Sequence, residues 1–195
     1  MHKIRFVLLC ILGGLLLVSC KKSSDRAITY FDSLVLAQVK YLSAANPKIT
    51  KIARMDGKED QATFVPDSAI WRNELDVFLQ LALFERPAYR DTYHMTDGLH
   101  DEKSNLLIRR YVTDRDIPIA ELKFYYYKEI KNLKKIEAVY RQANALYSTT
   151  RRLVLEFEEN SGKPVLNTYA IDGSQKMILS DSMKFSVQAK ITYPF

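Results

Sequence analysis

Cysteine is scarce in this chain of 195 residues, which contains only Cys10 and Cys20. Because no cysteine follows Cys20, the remainder can form no internal disulfide, no thiolate nucleophile and no cysteine-based metal site. The folded part must therefore be stabilised by packing alone.

Catalytic motifs are also missing. The chain has no P-loop, no G-x-G-x-x-G, no H-E-x-x-H and no G-x-S-x-G. His94 and His100 stand six residues apart, a spacing that does not place both on one helical face, so a strand histidine and a loop histidine are favoured over a metal pair. We predict a non-catalytic protein without metal or cofactor. An envelope hydrolase would need a polar cleft that the sequence does not indicate.

The N-terminal apolar stretch, residues 6–18, is too short to span a bilayer stably. It follows Lys3 and Arg5 and is interrupted only by Gly13-Gly14. A basic start followed by a short apolar segment is typical of a signal peptide. The alternative is a membrane anchor that keeps its helix.

Leu17-Val18-Ser19-Cys20 closes this stretch and resembles the bacterial lipobox. In lipoproteins with this motif the peptide is cut before the cysteine, whose thiol is diacylated and whose new amine is acylated. The resemblance implies that residues 1–19 are a removed signal peptide and that Cys20 is the lipid attachment site. Residues 20–26 then form the lipidated cysteine with a short tether, and residues 27–195 form a single domain.

Neither sign of charge is concentrated in one long run. The formal charge is +6 at pH 7, and basic residues are interspersed with acids, as where Glu156 follows Arg151-Arg152. Such a surface lacks the basic footprint of a nucleic-acid-binding protein. With 47% hydrophobic and 27% charged residues, the composition is that of one folded domain. We expect no nucleic-acid partner.

Two stretches repeat apolar residues every three or four positions, a pattern that predicts helices with one buried face. The first begins at Ser24 or Asp25 and runs to about Ala45. The second, over residues 66–85, carries Trp71, which is more typical of a core anchor than of a ligand platform.

Period-two alternation and turn residues predict an antiparallel sheet over the rest of the chain. The predicted strands are 49–55, 61–65, 93–95, 106–112, 119–127, 136–142, 153–157, 165–171, 177–179 and 185–191. The predicted turns are Asp56-Gly57, Asp97-Gly98, Asn160-Ser161-Gly162 and Asp172-Gly173. The expected fold is α+β: two N-terminal helices packed on a long, twisted, mostly antiparallel meander of about eight to ten strands, which can curl into a half-barrel.

Several segments resemble a family of small uncharacterised lipoproteins from Bacteroidota-type bacteria. Beside the lipobox, these are residues 51–58, Trp71-Arg72-Asn73-Glu74-Leu75, Asn144-Ala145-Leu146-Tyr147 and residues 169–176. The resemblance implies a shared fold and an envelope location, and it supplies no activity. Lys21-Lys22-Ser23-Ser24 is neither the acidic run of surface lipoproteins nor the aspartate of inner-membrane retention, which favours the outer membrane facing the periplasm.

An exposed apolar patch is the first functional hypothesis. Tyr125 and Tyr127 alternate with core-facing positions of their strand, and Val139 stands among charged residues of the next strand. Such a patch is the usual mark of a contact surface, although tyrosine also suits a wet strand. We predict a lipid-anchored binding or scaffold module whose partner is another envelope protein.

A carrier or receptor for a lipid-like ligand is the alternative hypothesis. A sheet covered by helices can hold an apolar ligand between the two layers, as the Lol-type lipoprotein carriers do. This hypothesis predicts that Trp71 and Phe78 line a cavity instead of filling the core. Separately, Arg110 falls on the side of the apolar residues Ile108 and Val112, so either its strand carries a bulge or Arg110 pairs with a buried acid.

Overall fold

The computed structural model of the protein describes residues 30–160 and 162–194. The predicted signal peptide, Cys20, the tether and the predicted start of the first helix lie outside these residues. Within them, no helix is both long enough and apolar enough to cross a membrane. The fold is α+β, with helices packed against one face of a sheet.

The described residues form a sheet of nine strands: β1 (Lys48–Met55), β2 (Lys58–Phe64), β3 (His94–His100), β4 (Leu107–Val112), β5 (Ile119–Tyr126), β6 (Leu133–Ala143), β7 (Tyr147–Asn160), β8 (Lys163–Met177) and β9 (Met183–Thr192). Their order is β2-β1-β9-β8-β7-β6-β5-β4-β3, and all neighbours are antiparallel. The predicted antiparallel sheet is confirmed, with β3 to β9 following one another as a meander. The first strand pairs with the last, and the sheet is open because β2 and β3 form its two edges.

The helical layer differs in number from the two predicted helices. It comprises α1 (Tyr30–Ala45), α2 (Ser68–Leu75), a 3₁₀ helix (Asp76–Glu85) and the short α3 (Pro87–Arg90). Asp67 caps α2, because its carboxylate accepts a hydrogen bond of 2.8 Å from the N–H of Ile70. The second predicted helix is thus present as two segments, α2 and the 3₁₀ helix that follows it directly.

The 3₁₀ winding suits the apolar sequence of this segment. A 3₁₀ helix has three residues per turn, so Phe78, Leu81 and Phe84 align on one face. Phe78 and Leu81 are buried, and Phe84 packs against the same core. The period-3.6 interpretation missed the change because the segment is apolar on several sides.

The predicted turns at Asp56-Gly57 and Asp97-Gly98 have opposite outcomes. Asp56 (φ +47°) and Gly57 (φ +83°) are both left-handed, as a type I′ hairpin requires, so the first hairpin is confirmed. Asp97-Gly98 lies inside β3, where the pairing with β4 shifts register, so Gly98 (φ +75°) forms a bulge and not a turn.

Gly173 also lies inside a strand, so the predicted turn at Asp172-Gly173 is wrong. A Cβ at this position would lie 2.7 Å from Cζ of Phe185 and 2.7 Å from the backbone oxygen of Thr150. Glycine therefore allows close packing between β7, β8 and β9. The predicted strand 177–179 is replaced by the turn that follows β8.

The core lies between the helical layer and the sheet. Trp71 and Phe78 are both 0% exposed, and the Phe78 ring meets Tyr169 of β8 edge-on, with centroids 5.7 Å apart. Buried Gln38 of α1 joins the layers, since its side chain donates to the oxygen of Pro164 (3.0 Å) and accepts from the N–H of Leu166 (2.9 Å). Each fully buried apolar side chain contributes about 1.5–3 kcal/mol to folding.

Glu74 ties three elements together at the edge of this core. Its carboxylate on α2 accepts hydrogen bonds from the ammonium of Lys51 on β1 (2.7 Å) and from the hydroxyl of Tyr169 on β8. Tyr169 is buried, and its pKa is raised by that burial and by the carboxylate. The hairpin, the helix and the central sheet therefore share one polar cluster.

Candidate functional site

A cavity of about 610 Å³ lies between the helical layer and strands β4 to β6. We call it the aromatic cavity, after the five aromatic residues in its lining, Tyr30, Phe31, Phe84, Tyr111 and Phe124. Its floor is buried at Phe31, Phe124 and Leu133, whereas Tyr30 and Ile130 at its rim are exposed. The cavity is therefore closed below and open to solvent above.

The aromatic rings form a continuous wall. The ring centroids of Phe84 and Tyr111 are 4.8 Å apart, those of Tyr111 and Phe124 are 6.1 Å apart, and those of Phe124 and Phe31 are 6.0 Å apart. These separations are typical of favourable edge-to-face or tilted pairs. The wall brings together α1, the 3₁₀ helix, β4 and β5, which are distant in sequence.

The charged residues of the lining are Arg90, Arg109, Lys131 and Glu85. The carboxylate of Glu85 accepts hydrogen bonds from the backbone N–H groups of Tyr30 (2.9 Å) and Phe31 (3.1 Å). It thereby satisfies donors at the N-terminus of α1, where a negative charge is also favoured by the helix dipole. This contact holds the end of α1 against the 3₁₀ helix and so shapes the rim.

Arg109 is held in the wall by an acid from the edge strand. Its Nη2 donates to the carboxylate of Asp97 (2.5 Å), and the hydroxyl of Tyr126 donates to the same carboxylate (2.7 Å). These hydrogen bonds hold the pKa of Asp97 at about 2, below its ordinary value of 3.8. The bulge at Gly98 places Asp97 in position for both contacts.

We expect Asp97→Asn to change how stability depends on pH. Because the folded-state pKa is depressed, the stabilisation by this carboxylate is complete above about pH 4 and is lost as the pH falls through about 2. The difference in melting temperature between the wild type and Asp97→Asn should therefore be largest near neutral pH and should vanish near pH 2. Thermal unfolding between pH 2 and 7 measures it, with Asp60→Asn on edge strand β2 as the control. A difference that stays constant with pH would contradict the assignment.

The residues of the carrier hypothesis do not line this cavity. Trp71 and Phe78 are fully buried in the core, where they fill space between α2, the 3₁₀ helix and the sheet. The cavity lies instead beside the C-terminal end of the 3₁₀ helix, at Phe84. The structure thus places Trp71 and Phe78 in the core and outside the lining of this cavity, and the carrier hypothesis stays a prediction.

The predicted contact patch is not exposed at its centre. Tyr125 is only 6% exposed, because Lys135 of β6 places its ammonium 3.8 Å from the ring centroid and Glu137 accepts a hydrogen bond from the hydroxyl (3.4 Å). The prediction of an exposed Tyr125 is therefore wrong, since long side chains of the neighbouring strand cover it. Tyr127 is exposed and Val139 is half-buried. A binding role for these two residues stays a prediction.

Arg110 lies on the outer face of the sheet. Its Nε donates to the carboxylate of half-buried Glu121 (2.6 Å), so of the two alternatives the pairing with an acid is observed. Register with β5 places Arg109 opposite Phe124 and Tyr111 opposite Leu122, so these two residues face the core. The sequence interpretation inverted this strand because apolar residues occur on both of its faces.

A second exposed feature lies at the opposite end of the sheet. Four large apolar side chains, which we call the aliphatic tip, are Leu146, Met177, Ile178 and Leu179. Leu179 is 95% exposed, and the N–H of Ile178 donates to the oxygen of Leu146 (2.9 Å), which joins the two turns. Strand β6 runs from the cavity at Leu133 toward this tip, a distance of about 33 Å.

No family model, curated protein or solved structure matches the chain. The resemblance to Bacteroidota-type lipoproteins therefore stays a prediction. Among the described residues there is no group of three or more histidine, cysteine or acidic side chains that could hold a metal ion. The aromatic cavity and the aliphatic tip are two features from which a function can be argued.

Proposed function

We propose that this protein is a lipid-anchored protein of the cell envelope that holds a lipid-like ligand in the aromatic cavity. The cavity itself carries the proposal: about 610 Å³ falls within the range of about 300–1,000 Å³ found for small-molecule sites. Its wall is a row of aromatic rings and its floor is buried. In this proposal the open sheet is one wall of a half-barrel, and the helical layer is the other.

The short distance along the sequence between the predicted lipid attachment site and the rim of the cavity supports a ligand that comes from the membrane. Tyr30 lies at the rim and follows the predicted lipid attachment site, Cys20, by ten positions. Ten extended residues span at most about 33–36 Å, so an anchor at Cys20 keeps the rim within that distance of the bilayer. We place the protein at the outer membrane facing the periplasm.

We expect Ile130→Trp to block the cavity. Ile130 is exposed at the rim, so the larger indole can occupy the opening without overpacking the core. The full chain should then lose most of its bound lipid, and the lipid-free forms of the variant and the wild type should melt at the same temperature. Native mass spectrometry of the full chain released from detergent, before and after organic extraction, measures the bound species.

The matched control is Ile178→Trp, which makes the same substitution in an exposed turn at the aliphatic tip. It should leave the bound lipid unchanged. The proposal is wrong if the wild-type chain carries no extractable lipid, or if both tryptophan variants carry as much lipid as the wild type.

Docking of another envelope protein is a second candidate function, and the aliphatic tip favours it. Contiguous exposed aliphatic side chains mark contact surfaces, and the hydrogen bond between the two turns holds them in one arrangement. The two tryptophan variants separate the functions, because one alters the rim of the cavity and the other alters only the tip.

A further inference from the structure

The lining of the aromatic cavity carries more positive than negative charge. Among the described residues, three cationic side chains line it, from Arg90, Arg109 and Lys131, against one carboxylate, that of Glu85. That carboxylate is engaged with two backbone N–H groups at the N-terminus of α1, whose partial positive charge it offsets. An apolar ligand with no charge would leave this excess of positive charge without a role.

The three cations differ in their partners. Arg109 is paired with Asp97 (2.5 Å), and Lys131 is paired with Glu129 (2.8 Å). Arg90 donates to the backbone oxygen of Glu85 (3.2 Å) and forms no ion pair with any of the described residues. Arg90 is also exposed, on the last turn of the helical layer. Within the part of the chain that the structure describes, the rim therefore presents one guanidinium without a carboxylate partner.

We infer that the ligand is an amphiphile with an acyl chain and a carboxylate head group, which Arg90 binds. This inference rests on the proposed function and adds the chemical class of the ligand. The planar fork of a guanidinium matches a carboxylate with two parallel hydrogen bonds. One unpaired cation matches one negative charge. The acyl chain then lies below it, along the wall formed by Phe84, Tyr111 and Phe124.

The two ends of such a ligand meet different surroundings in this cavity. At the rim, Arg90 and Tyr30 are exposed, so a charged head group keeps part of its hydration. At the floor, Phe31 and Leu133 are buried and offer only apolar contact. Chain burial and head-group pairing are thus separate contributions, and one can be removed without the other.

Photocrosslinking of the full chain in its membranes tests the inference. The probes are a 16-carbon fatty acid with a diazirine in its chain and the corresponding fatty alcohol. Arg90→Gln should lower labelling of the cavity peptides by the acid about tenfold and leave labelling by the alcohol unchanged. Arg86→Gln is the matched control, because Arg86 is exposed on the same turn and does not line the cavity.

The outcomes separate the inference from the function on which it rests. If acid and alcohol label the cavity equally in the wild type, or if Arg86→Gln lowers acid labelling as much as Arg90→Gln, the carboxylate assignment is overturned and ligand binding stands. If neither probe labels peptides that contain Phe84, Tyr111 or Leu133, the proposed function itself is overturned.

Discussion

Phe78→Ala should lower the free energy of unfolding by about 3–5 kcal/mol, the loss typical of a large buried aromatic residue. Phe78 is fully buried, and its ring meets the ring of Tyr169 edge-on. The substitution removes this contact and leaves a cavity between the 3₁₀ helix and the sheet. Urea unfolding of the full chain, followed by the fluorescence of its single tryptophan, Trp71, measures the change.

The control is Leu179→Ala at the aliphatic tip, where the side chain is exposed and the expected change is within about 0.5 kcal/mol. An effect of Phe78→Ala as small as that of Leu179→Ala would show that Phe78 does not fill the core. The original carrier hypothesis, in which Phe78 lines the ligand site, would then regain support. If Phe78→Ala has the expected large effect, the proposed ligand binding should persist in this variant at temperatures where the variant stays folded.

Glu74→Ala should lower the free energy of unfolding by about 2–3 kcal/mol. The substitution leaves the buried hydroxyl of Tyr169 without its acceptor and the ammonium of Lys51 without its partner. Because these groups belong to β8 and β1, the loss weakens the attachment of α2 to both strands. Urea unfolding measures the change, and Glu74→Gln, which keeps an acceptor oxygen, should recover part of it.

Glu59→Ala is the control for this prediction. Glu59 also pairs with a cation, Arg54 (2.6 Å), but both side chains are about half exposed, and such pairs contribute about 0–1 kcal/mol. A double-mutant cycle between Glu74→Ala and Tyr169→Phe should show a coupling well above that value. If the two effects add without coupling, the hydroxyl and the carboxylate do not stabilise each other.

Local signals predicted much of the sheet correctly. Alternation in residues 185–191 identified β9, and Asp56-Gly57 identified the first hairpin, because both patterns depend on positions close in sequence. The turn predicted at Asp172-Gly173 is wrong because the role of this glycine depends on a residue distant in sequence. Its glycine is required by the ring of Phe185 on the neighbouring strand, a contact that no local pattern reveals.

The aromatic cavity could not be predicted from the sequence. Its wall joins Phe31, Phe84, Tyr111 and Phe124, which lie on four separate elements and meet only after the layers pack. Two further local errors concealed it: the unrecognised 3₁₀ winding around Phe84 and the inverted faces of β4. Alternation of apolar and polar residues predicts which side chains are buried. It does not predict which buried side chains leave a cavity between them.

The pairing of the first strand with the last has a consequence for the order of events during biosynthesis. The β1–β2 hairpin ends at Phe64, but β9, the strand that receives it, begins only at Met183 and is synthesised much later. More than half of the chain must therefore be made before this closure, and non-local pairing of this kind is slow. Until then the inner edge of β1 offers unpaired backbone groups to other chains. A chaperone that shields this edge during synthesis would protect the chain while its backbone groups are unpaired.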